Sequence, residues 1–449
     1  MNRSLLIAVL VTLPVWAQDS LSLTDAVHLA LHQNISIQAS GAAKKAAEAR
    51  VAVAKGGRLP SVNYSESWTR SDNPVFVFSS LLTQSQFGEQ NFQIPTLNQP
   101  DFLNNFQSQV TVDQSLFDAS QTKHAIRSAE LTKDITSEDG RRTQMEVIAG
   151  VVRSYYETLL SKEQLLATNQ ALRSSEADLT RAQNIRSAGM STDVDLLSIR
   201  VHLAGVREQQ IRRAADLDVA GATLNDALGL PLDTPHMLTT PLTPLKLPGE
   251  MLTQYEASAL NERPEARQAK LATRLAENQE ATARNNFLPR VGAHAAFESD
   301  RQRFYGRGGN NWLVSIGLRW NLFNGFSDKA HIEETRFALQ RSRAEQDRAG
   351  SAIRLQVRRM YADLRGAQQR IEVTKASVDE AEESLRITQN RYEAGLGNVT
   401  DLLRTETAAL EARTRHLAAI HDQRIAAAML ELAAGTLTAD SEVLSEGSR

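Results

Sequence analysis

His28 and His32 are the first residues whose type and spacing could support chemistry, because they stand one helical turn apart. That spacing can bind zinc. No third ligand is near, however, and the segment lacks the glutamate of a catalytic zinc helix. We therefore expect an ordinary helix surface here, with no metal and no cofactor.

The glycine-rich run Gly306-Arg307-Gly308-Gly309 has the composition of a phosphate-binding loop. Such a loop must be followed by a helix, whereas this run lies between two strand-like segments, so a hairpin turn is the better interpretation. No serine, histidine and acid arrangement and no paired carboxylates stand out. The chain has no cysteine, which excludes disulfides, thiolate metal sites and thiol nucleophiles. The sequence thus offers no support for an enzyme.

Composition and targeting signals place the chain outside the cytoplasm. Residues 1–17 carry Arg3, an apolar run from Leu5 to Trp16 and the small residue Ala17, which is the layout of a cleavable signal peptide. No later stretch has the uninterrupted apolar run of a transmembrane helix, and the mean hydropathy is −0.35. A net charge of −3 over 449 residues argues against a nucleic acid partner. Any membrane contact must therefore involve a β-barrel or a surface.

The sequence also contains an internal duplication, because several short motifs recur at a constant spacing. The motifs Tyr155, Asp195-Leu196-Leu197 and Gly229 return as Tyr361, Asp401-Leu402-Leu403 and Gly435. One connection near the start of the first half is longer than its counterpart. The chain is therefore expected to consist of two similar repeats.

Proline residues mark the joints between elements, because proline removes a hydrogen bond from a helix interior. We predict a signal peptide over 1–17, a first repeat over 18–230, a proline-rich linker over 231–253, a second repeat over 254–436 and a polar tail over 437–449. After an initial helix, the first repeat has a strand hairpin over 58–118, a long helix over 119–187 and a return helix over 193–229. The second has the corresponding elements over 287–324, 326–393 and 399–435.

Four segments alternate apolar and polar residues, which is typical of strands with two unlike faces. The clearest places Trp312, Val314 and Ile316 opposite Ser315 and Gly317. Each segment has the roughly ten residues that cross a bilayer at a tilt, yet four strands are too few to close a barrel. Strands must therefore be shared between subunits, and three subunits leave a lumen where two do not. If the protein is a conduit, the strand count favours a trimer.

The long helices carry a heptad pattern of apolar residues. In the second repeat Val357, Leu364, Ile371, Val378 and Leu385 recur every seven residues. Such a seam packs against neighbouring helices in a left-handed coiled coil. Each long helix would extend roughly 100 Å at the usual rise per residue.

The signal peptide, the duplicated hairpins and two tip sequences together resemble the TolC family of outer membrane efflux proteins. The tips read Ala-Gly-Met-Ser-Thr-Asp-Val-Asp-Leu-Leu over 188–197 and Tyr-Glu-Ala-Gly-Leu-Gly-Asn-Val-Thr-Asp-Leu-Leu over 392–403. The resemblance implies an α+β membrane protein whose homotrimer forms a twelve-stranded barrel in outer-membrane lipid, continued by a periplasmic coiled-coil barrel. It implies a passive channel of a tripartite efflux pump or type I secretion system, with a periplasmic adaptor and an inner-membrane transporter as partners.

The same resemblance assigns roles to residues at the tips. The adaptor-docking turns correspond to Gly189, Met190, Ser191, Gly395, Leu396 and Gly397. A carboxylate that narrows the tunnel corresponds to Asp401, and the family's second acidic position is Arg404 in this chain. Asp195 and Tyr392 match residues that hold the tip closed, and the basic partner of that group falls on Gly397.

Several alternatives remain open from the residues alone. The turns could be simple connectors, and Asp401 a solvated surface acid. A periplasmic coiled-coil adaptor without a pore, or a secreted adhesin, would also contain long helices. The phenylalanine-rich loop over 71–105 either plugs the mouth of the channel or only packs on its neighbours. The exported substrate, the transporter and the adaptor are not readable from the sequence.

Overall fold

The computed structural model describes residues 20–187, 192–246 and 251–444. The predicted signal peptide therefore lies outside the described residues. The helices are α1 Leu23–Gln33, α2 Ile35–Gly56, α3 Pro74–Thr83, α4 Ile94–Asn98, α5 Gln121–Ser187, α6 Asp193–Leu228, α7 Leu252–Glu262, α8 Pro264–Asn285, α9 Ser327–Glu393 and α10 Val399–Ala434. The strands are β1 Ser20–Leu21, β2 Ser61–Ser71, β3 Leu103–Phe117, β4 Met237–Leu238, β5 Arg290–Arg301 and β6 Gly308–Arg319.

The chain divides into two compact units, each of which takes segments from both repeats. The first unit is Met1–Ala42, Glu138–Arg267 and Arg348–Arg449, and the second is Ala43–Ser137 and Gln268–Asp347. The long helices α5 and α9 begin in the second unit and end in the first.

The second unit contains one antiparallel sheet in the order β2-β3-β5-β6. Its register aligns Tyr64, Val110, Phe297 and Trp312 in one row across all four strands. These side chains share one face, and Trp312 is 77% exposed. The predicted alternation and the four strands per chain are confirmed, and they give the sheet one exposed apolar face.

The opposite face of this sheet is polar and internally hydrogen bonded. The Asn105 side-chain amide donates to Asp300 Oδ1 at 2.6 Å, and the Gln107 amide donates to Glu298 Oε1 at 2.7 Å. Within the described part of the chain, β2 and β6 each pair along one edge only. The sheet therefore ends in two edges whose backbone groups need partners.

The predicted loop over 71–105 is not irregular throughout, because it contains α3, a 3-10 turn over Glu89–Phe92 and α4. Pro74 occupies the first turn of α3, where its missing N–H costs nothing. The Asn73 side chain accepts hydrogen bonds from the backbone N–H groups of Val75 and Phe76. These two residues define where α3 begins. The alternating patterns of the flanking strands did not indicate this helix.

The long helices confirm the predicted coiled-coil architecture. The two helices α5 and α9 each have 67 residues, and the return helices α6 and α10 each have 36. In the first unit the seam residues Val357 and Leu364 are buried in the main apolar core. No helix within the described ranges is both long enough and apolar enough to cross a membrane.

In the first unit, the buried Tyr155 of α5 connects two other parts of the chain by hydrogen bonds. Its hydroxyl donates to the Leu21 carbonyl at 2.8 Å and accepts from the Thr240 N–H at 3.1 Å. The strand β1 thereby meets the linker strand β4, with which it pairs in parallel. Both return helices end at a glycine with φ of 78°, Gly229 and Gly435, a conformation that residues with a Cβ adopt at a cost.

Candidate functional site

The candidate site is the end of the first unit where each long helix turns into its return helix. At the second turn Gly395 has φ of 72°. The Leu396 N–H donates to the Arg391 carbonyl at 2.8 Å, and the Gly395 N–H donates to the Tyr392 carbonyl at 3.0 Å. This paired arrangement closes a helix with a left-handed glycine. The sequence of the turn therefore explains why α9 stops at Glu393.

The residues predicted to dock an adaptor divide between described and undescribed parts of the chain. Gly395, Leu396 and Gly397 form the second turn, and Leu396 is 72% exposed. A Cβ at Gly397 would lie 3.1 Å from the Tyr392 backbone nitrogen, so the turn is tight as well as left-handed. The other three predicted docking residues, Gly189, Met190 and Ser191, lie outside the described residues.

A small apolar cluster joins the two helical hairpins just behind the turns. The first hairpin contributes Ala182, Leu196 and Ile199, and the second contributes Tyr392, Val399 and Leu402. The Tyr392 hydroxyl is buried and has no hydrogen-bond partner among the described residues. Burial raises the pKa of this phenol, and the negative charges of Asp195 and Asp178 raise it further. Tyr392 is thus held in place by packing.

Asp195 and Asp401 each interact with the cap residue of a return helix, Thr192 and Asn398 respectively. Asp195 Oδ2 accepts from the Thr192 N–H at 3.1 Å, and the Thr192 hydroxyl accepts from the Asp195 N–H at 3.3 Å. At the second return helix the Asn398 side-chain oxygen accepts from the Asp401 N–H at 2.7 Å, and the Asn398 side-chain amide donates to Asp401 Oδ2 at 2.9 Å. Such caps are typically worth about 1 kcal/mol. The sequence pattern that indicates such a helix start is an acid three residues after a capping side chain. The family resemblance assigns these acids other roles.

Asp401 and Arg404 lie together in an exposed groove that Arg391 also lines. Asp401 makes its hydrogen bonds with Asn398, and within the described ranges no ion pair joins Asp401 to Arg404. The groove therefore presents two guanidinium groups beside one carboxylate. The roles of these residues in a tunnel constriction stay predictions.

A buried pair of acids lies close to the turns, and neither residue was among the predicted site residues. Asp178 on α5 is 1% exposed, and its carboxyl is hydrogen bonded to Glu406 on α10. Arg181 Nη1 lies 2.8 Å from Asp178 Oδ1, and Arg181 Nη2 lies 3.0 Å from Glu393 Oε1. His202 Nε2 on α6 lies 3.2 Å from Glu406 Oε2. These groups connect all four helices of the two hairpins.

The surroundings of the two acids favour a single proton between them. Burial and the hydrogen bond with Glu406 raise the pKa of Asp178 to about 8, although the nearby Arg181 opposes that shift. Burial also opposes ionisation of Glu406, but hydrogen bonds from His202 and Asp178 outweigh it and hold the pKa of Glu406 below its ordinary value. At neutral pH, Asp178 therefore donates a hydrogen bond to an ionised Glu406.

No sequence motif could have identified this pair. Asp178 and Glu406 are far apart in the chain, and Asp178 simply precedes the seam residue Leu179. Acidic residues beside a heptad seam are ordinarily solvated. Only the packing of the two hairpins against each other brings these carboxyls together and removes them from water.

The chain matches the profile of a known family over most of its length. The family described as Outer membrane efflux protein matches residues 26–230 and 257–436. The gap between the two matched segments includes the whole linker that joins the two repeats.

Two curated relatives are similar to the chain over most of its length. Protein CyaE of Bordetella pertussis is 29% identical over 93% of this chain and 85% of its own length. The Alkaline protease secretion protein AprF of Pseudomonas aeruginosa is 25% identical over 95% of this chain and 87% of its own length.

The fold is also similar to that of a solved channel. The crystal structure of the Campylobacter jejuni CmeC outer membrane channel matches 99% of this chain and 96% of its own, with a TM-score of 0.79 and 14% identity. At that identity the likeness concerns the fold alone.

Proposed function

This chain belongs to the outer membrane efflux protein family, and from that premise we propose that three copies form one channel. The protein is an outer-membrane channel subunit of an efflux or secretion system that extends into the periplasm. Its family consists of transport channels, and enzymes are not among them. The channel is a passive exit duct.

The observation that carries the trimer is the four-stranded sheet with an exposed apolar face and two unpaired edges. Open edges are not tolerated in lipid, because water is absent there to satisfy the backbone. Joining β6 of one copy to β2 of the next removes every edge when the ring closes. Three copies supply twelve strands, which leave a lumen, whereas two supply eight and a filled interior. The apolar face would then contact outer-membrane lipid.

The exposed turn at Leu396 supports the proposal that the tips receive a periplasmic adaptor. An apolar side chain that is 72% exposed beside a rigid glycine turn is a suitable anchor for another protein. The adaptor would in turn connect the duct to an inner-membrane transporter. Because a passive duct does not recognise the chemistry of what it carries, the transporter selects the cargo.

We propose a protein as the cargo, in a type I secretion system. One similar relative is named an alkaline protease secretion protein. Small-molecule efflux is the other cargo class of this family. A strain lacking the chain separates them, because it loses a secreted protein in one case and gains drug susceptibility in the other.

Substitution Leu396→Asp is expected to abolish secretion while leaving the trimers in the outer membrane. A charge at this exposed position would disrupt an apolar contact with the adaptor without disturbing the fold, since Leu396 is 72% exposed. The matched control is Leu355→Asp on α9, where leucine is 70% exposed but distant from the turn. The measurements are the amount of secreted protein and co-purification of the adaptor.

Normal secretion by Leu396→Asp would contradict adaptor docking at this turn. A periplasmic adaptor without a pore was the alternative function, and it would be recovered as a water-soluble periplasmic protein. Heat-modifiable trimers in the outer-membrane fraction distinguish the channel from that alternative.

A further inference from the structure

We propose that α3 narrows the outer end of the channel, where it covers the inner face of the sheet, so that an extended polypeptide passes and a bulky or folded molecule does not. The inference rests on the proposed function, because it requires three copies to enclose one lumen. It concerns the segment over 72–102, which connects β2 to β3 and has only the short connection 302–307 as its counterpart between β5 and β6.

The inner face follows from the two unlike faces of the sheet. The row of Tyr64, Val110, Phe297 and Trp312 is apolar and exposed, so this face is suited to lipid. The residues that alternate with it are polar and face the lumen of a closed barrel. Any segment that packs on the polar face is therefore inside the channel.

The end of α3 is hydrogen bonded to that polar face. The Gln84 side-chain amide donates to Asn105 Oδ1 at 2.8 Å and to the Asn104 carbonyl at 2.9 Å. Asn105 in turn donates to Asp300 on the neighbouring strand at 2.6 Å. Asn105 alternates with Phe106, which lies on the apolar face with Trp68. The Gln84 contact therefore fixes α3 to the inner face of the sheet.

Burial shows that one side of α3 is packed within a single copy of the chain. Gln84 and Asp300 are each 1% exposed, although both are polar. Val77 and Ser80 of α3 and Leu103 of β3 are also buried. The Gln84 amide and Asp300 Oδ1 both have hydrogen-bond partners, so the end of α3 has a defined position on the sheet.

The sheet accommodates α3 through a glycine. A Cβ at Gly309 of β6 would collide with the carbonyl oxygen of Thr83, the last residue of α3. Gly317 lies on the same strand and the same face, and an added Cβ there would meet nothing within 4 Å. The helix therefore touches the sheet at Gly309 and leaves Gly317 open.

Aromatic contacts hold the remainder of the segment onto α3. The Phe78 and Phe87 ring centroids are 4.8 Å apart, and those of Phe87 and Phe92 are 5.0 Å apart. The 3-10 turn over Glu89–Phe92 is thus packed against the helix. A helix with its side chains is about 10 Å thick, so three such segments would narrow the mouth from three sides.

The test uses the absence of cysteine, because a single introduced cysteine can be labelled specifically. Ser65→Cys places a thiol on the inner face, roughly 20 Å along β2 from its outer end at Ser71. Arg307→Cys places a reference thiol in the exposed outer turn. Intact cells are treated with a small membrane-impermeant maleimide or with a bulky polyethylene glycol maleimide.

With α3 in place, Ser65→Cys should react with the small reagent and not with the bulky one, whereas Arg307→Cys should react with both. Replacing residues 72–102 by the sequence of 302–307 should restore bulky labelling of Ser65→Cys. Gly309→Ala should also restore it, because the added methyl displaces the end of α3. The matched control Gly317→Ala should leave the block intact. Heat-modifiable trimers confirm assembly of every variant.

Reaction of Ser65→Cys with the bulky maleimide while the segment is intact would overturn the proposal. Failure of Ser65→Cys to react with the bulky maleimide after the segment is replaced would overturn it as well. Equal behaviour of Gly309→Ala and Gly317→Ala would overturn the position of α3 at Gly309. If Arg307→Cys reacts with neither reagent, the turn does not reach the cell exterior. That result would contradict the proposed function and is distinct from failure of the proposal for α3.

Discussion

At the scale of single residues, the buried acids Asp178 and Glu406 are the most informative feature of the tips. One proton shared between them satisfies two carboxyl groups that would otherwise repel each other out of water. Because the two residues belong to different hairpins, their hydrogen bond holds those hairpins together. Loss of the proton would leave two negative charges in a buried position beside His202, Arg181 and Glu393.

We expect the stability of the protein to fall as the pH rises. The folded chain keeps the Asp178 proton up to about pH 8, whereas the unfolded chain loses it near the ordinary value of 3.8. The folded state therefore binds more protons in this range, and the contribution of Asp178 weakens from about pH 4 to about pH 8. Substitution Asp178→Asn should remove much of this dependence, because an amide donates to Glu406 without titrating. The measurement is the temperature at which trimers dissociate, across that pH range.

The matched control is Glu176→Gln, which removes an exposed carboxylate from the same helix. Glu176 pairs with Arg207 at 3.0 Å, and both side chains are about half exposed. That variant should keep the pH dependence of the native chain. An unchanged pH dependence in Asp178→Asn would show that the proton is not held at this residue.

At the scale of elements, the sheet is the part of the fold that the sequence indicated most directly. Alternation in Trp312, Val314 and Ile316 predicts one exposed apolar face, and the register confirms it. The seam at Val357 and Leu364 likewise predicts the long helices. Both patterns lie within a single element. Each can therefore be recognised in the sequence without knowing which other elements pack against it.

Other elements depend on distant partners and could not be read locally. The segment of α3 has no regular alternation of apolar and polar residues, and its helix depends on the Asn73 cap and on the sheet beneath it. The parallel pairing of β1 with β4 involves two residues from each strand, joined through Tyr155. Asp178 and Glu406 similarly meet only after the hairpins pack. Such features arise from tertiary contacts that no sequence period encodes.

Charge on the apolar face of β6 should prevent insertion, whereas charge on the polar face should be tolerated. Val314 is 64% exposed on the apolar face, and arginine near the bilayer midplane costs about 2–4 kcal/mol. Ser315 is the next residue and points to the opposite face. We expect Val314→Arg to reduce trimers in the outer-membrane fraction and Ser315→Arg to leave them. Equal amounts of trimer from both variants would contradict the assignment of the faces.

At the scale of the whole molecule, the two unpaired edges determine how many copies assemble. Ser65 lies on the edge strand β2 and Ser315 on the edge strand β6, both on the polar face. A chain carrying Ser65→Cys and Ser315→Cys should therefore be joined to its neighbours by a thiol-specific cross-linker. Chains that carry only one of the two cysteines should not be cross-linked to each other if β6 always pairs with β2.

The cross-linked ladder should end at three chains. Denaturing electrophoresis measures it directly, since the native chain of 49.5 kDa has no cysteine of its own. A ladder that ends at two chains, or that continues beyond three, would overturn the proposed ring. Cross-linking of either single variant would indicate pairing of identical edges.

The same two edges have a genetic consequence. A chain whose two edge strands must each pair with a neighbour cannot form a ring by itself. Every channel therefore contains several separately synthesised copies. A defective copy with a normal sheet would enter rings together with normal copies and disable them. Alleles that damage the tips are therefore expected to be dominant over the normal allele. Alleles that damage the sheet are expected to be recessive, because their products are excluded before assembly.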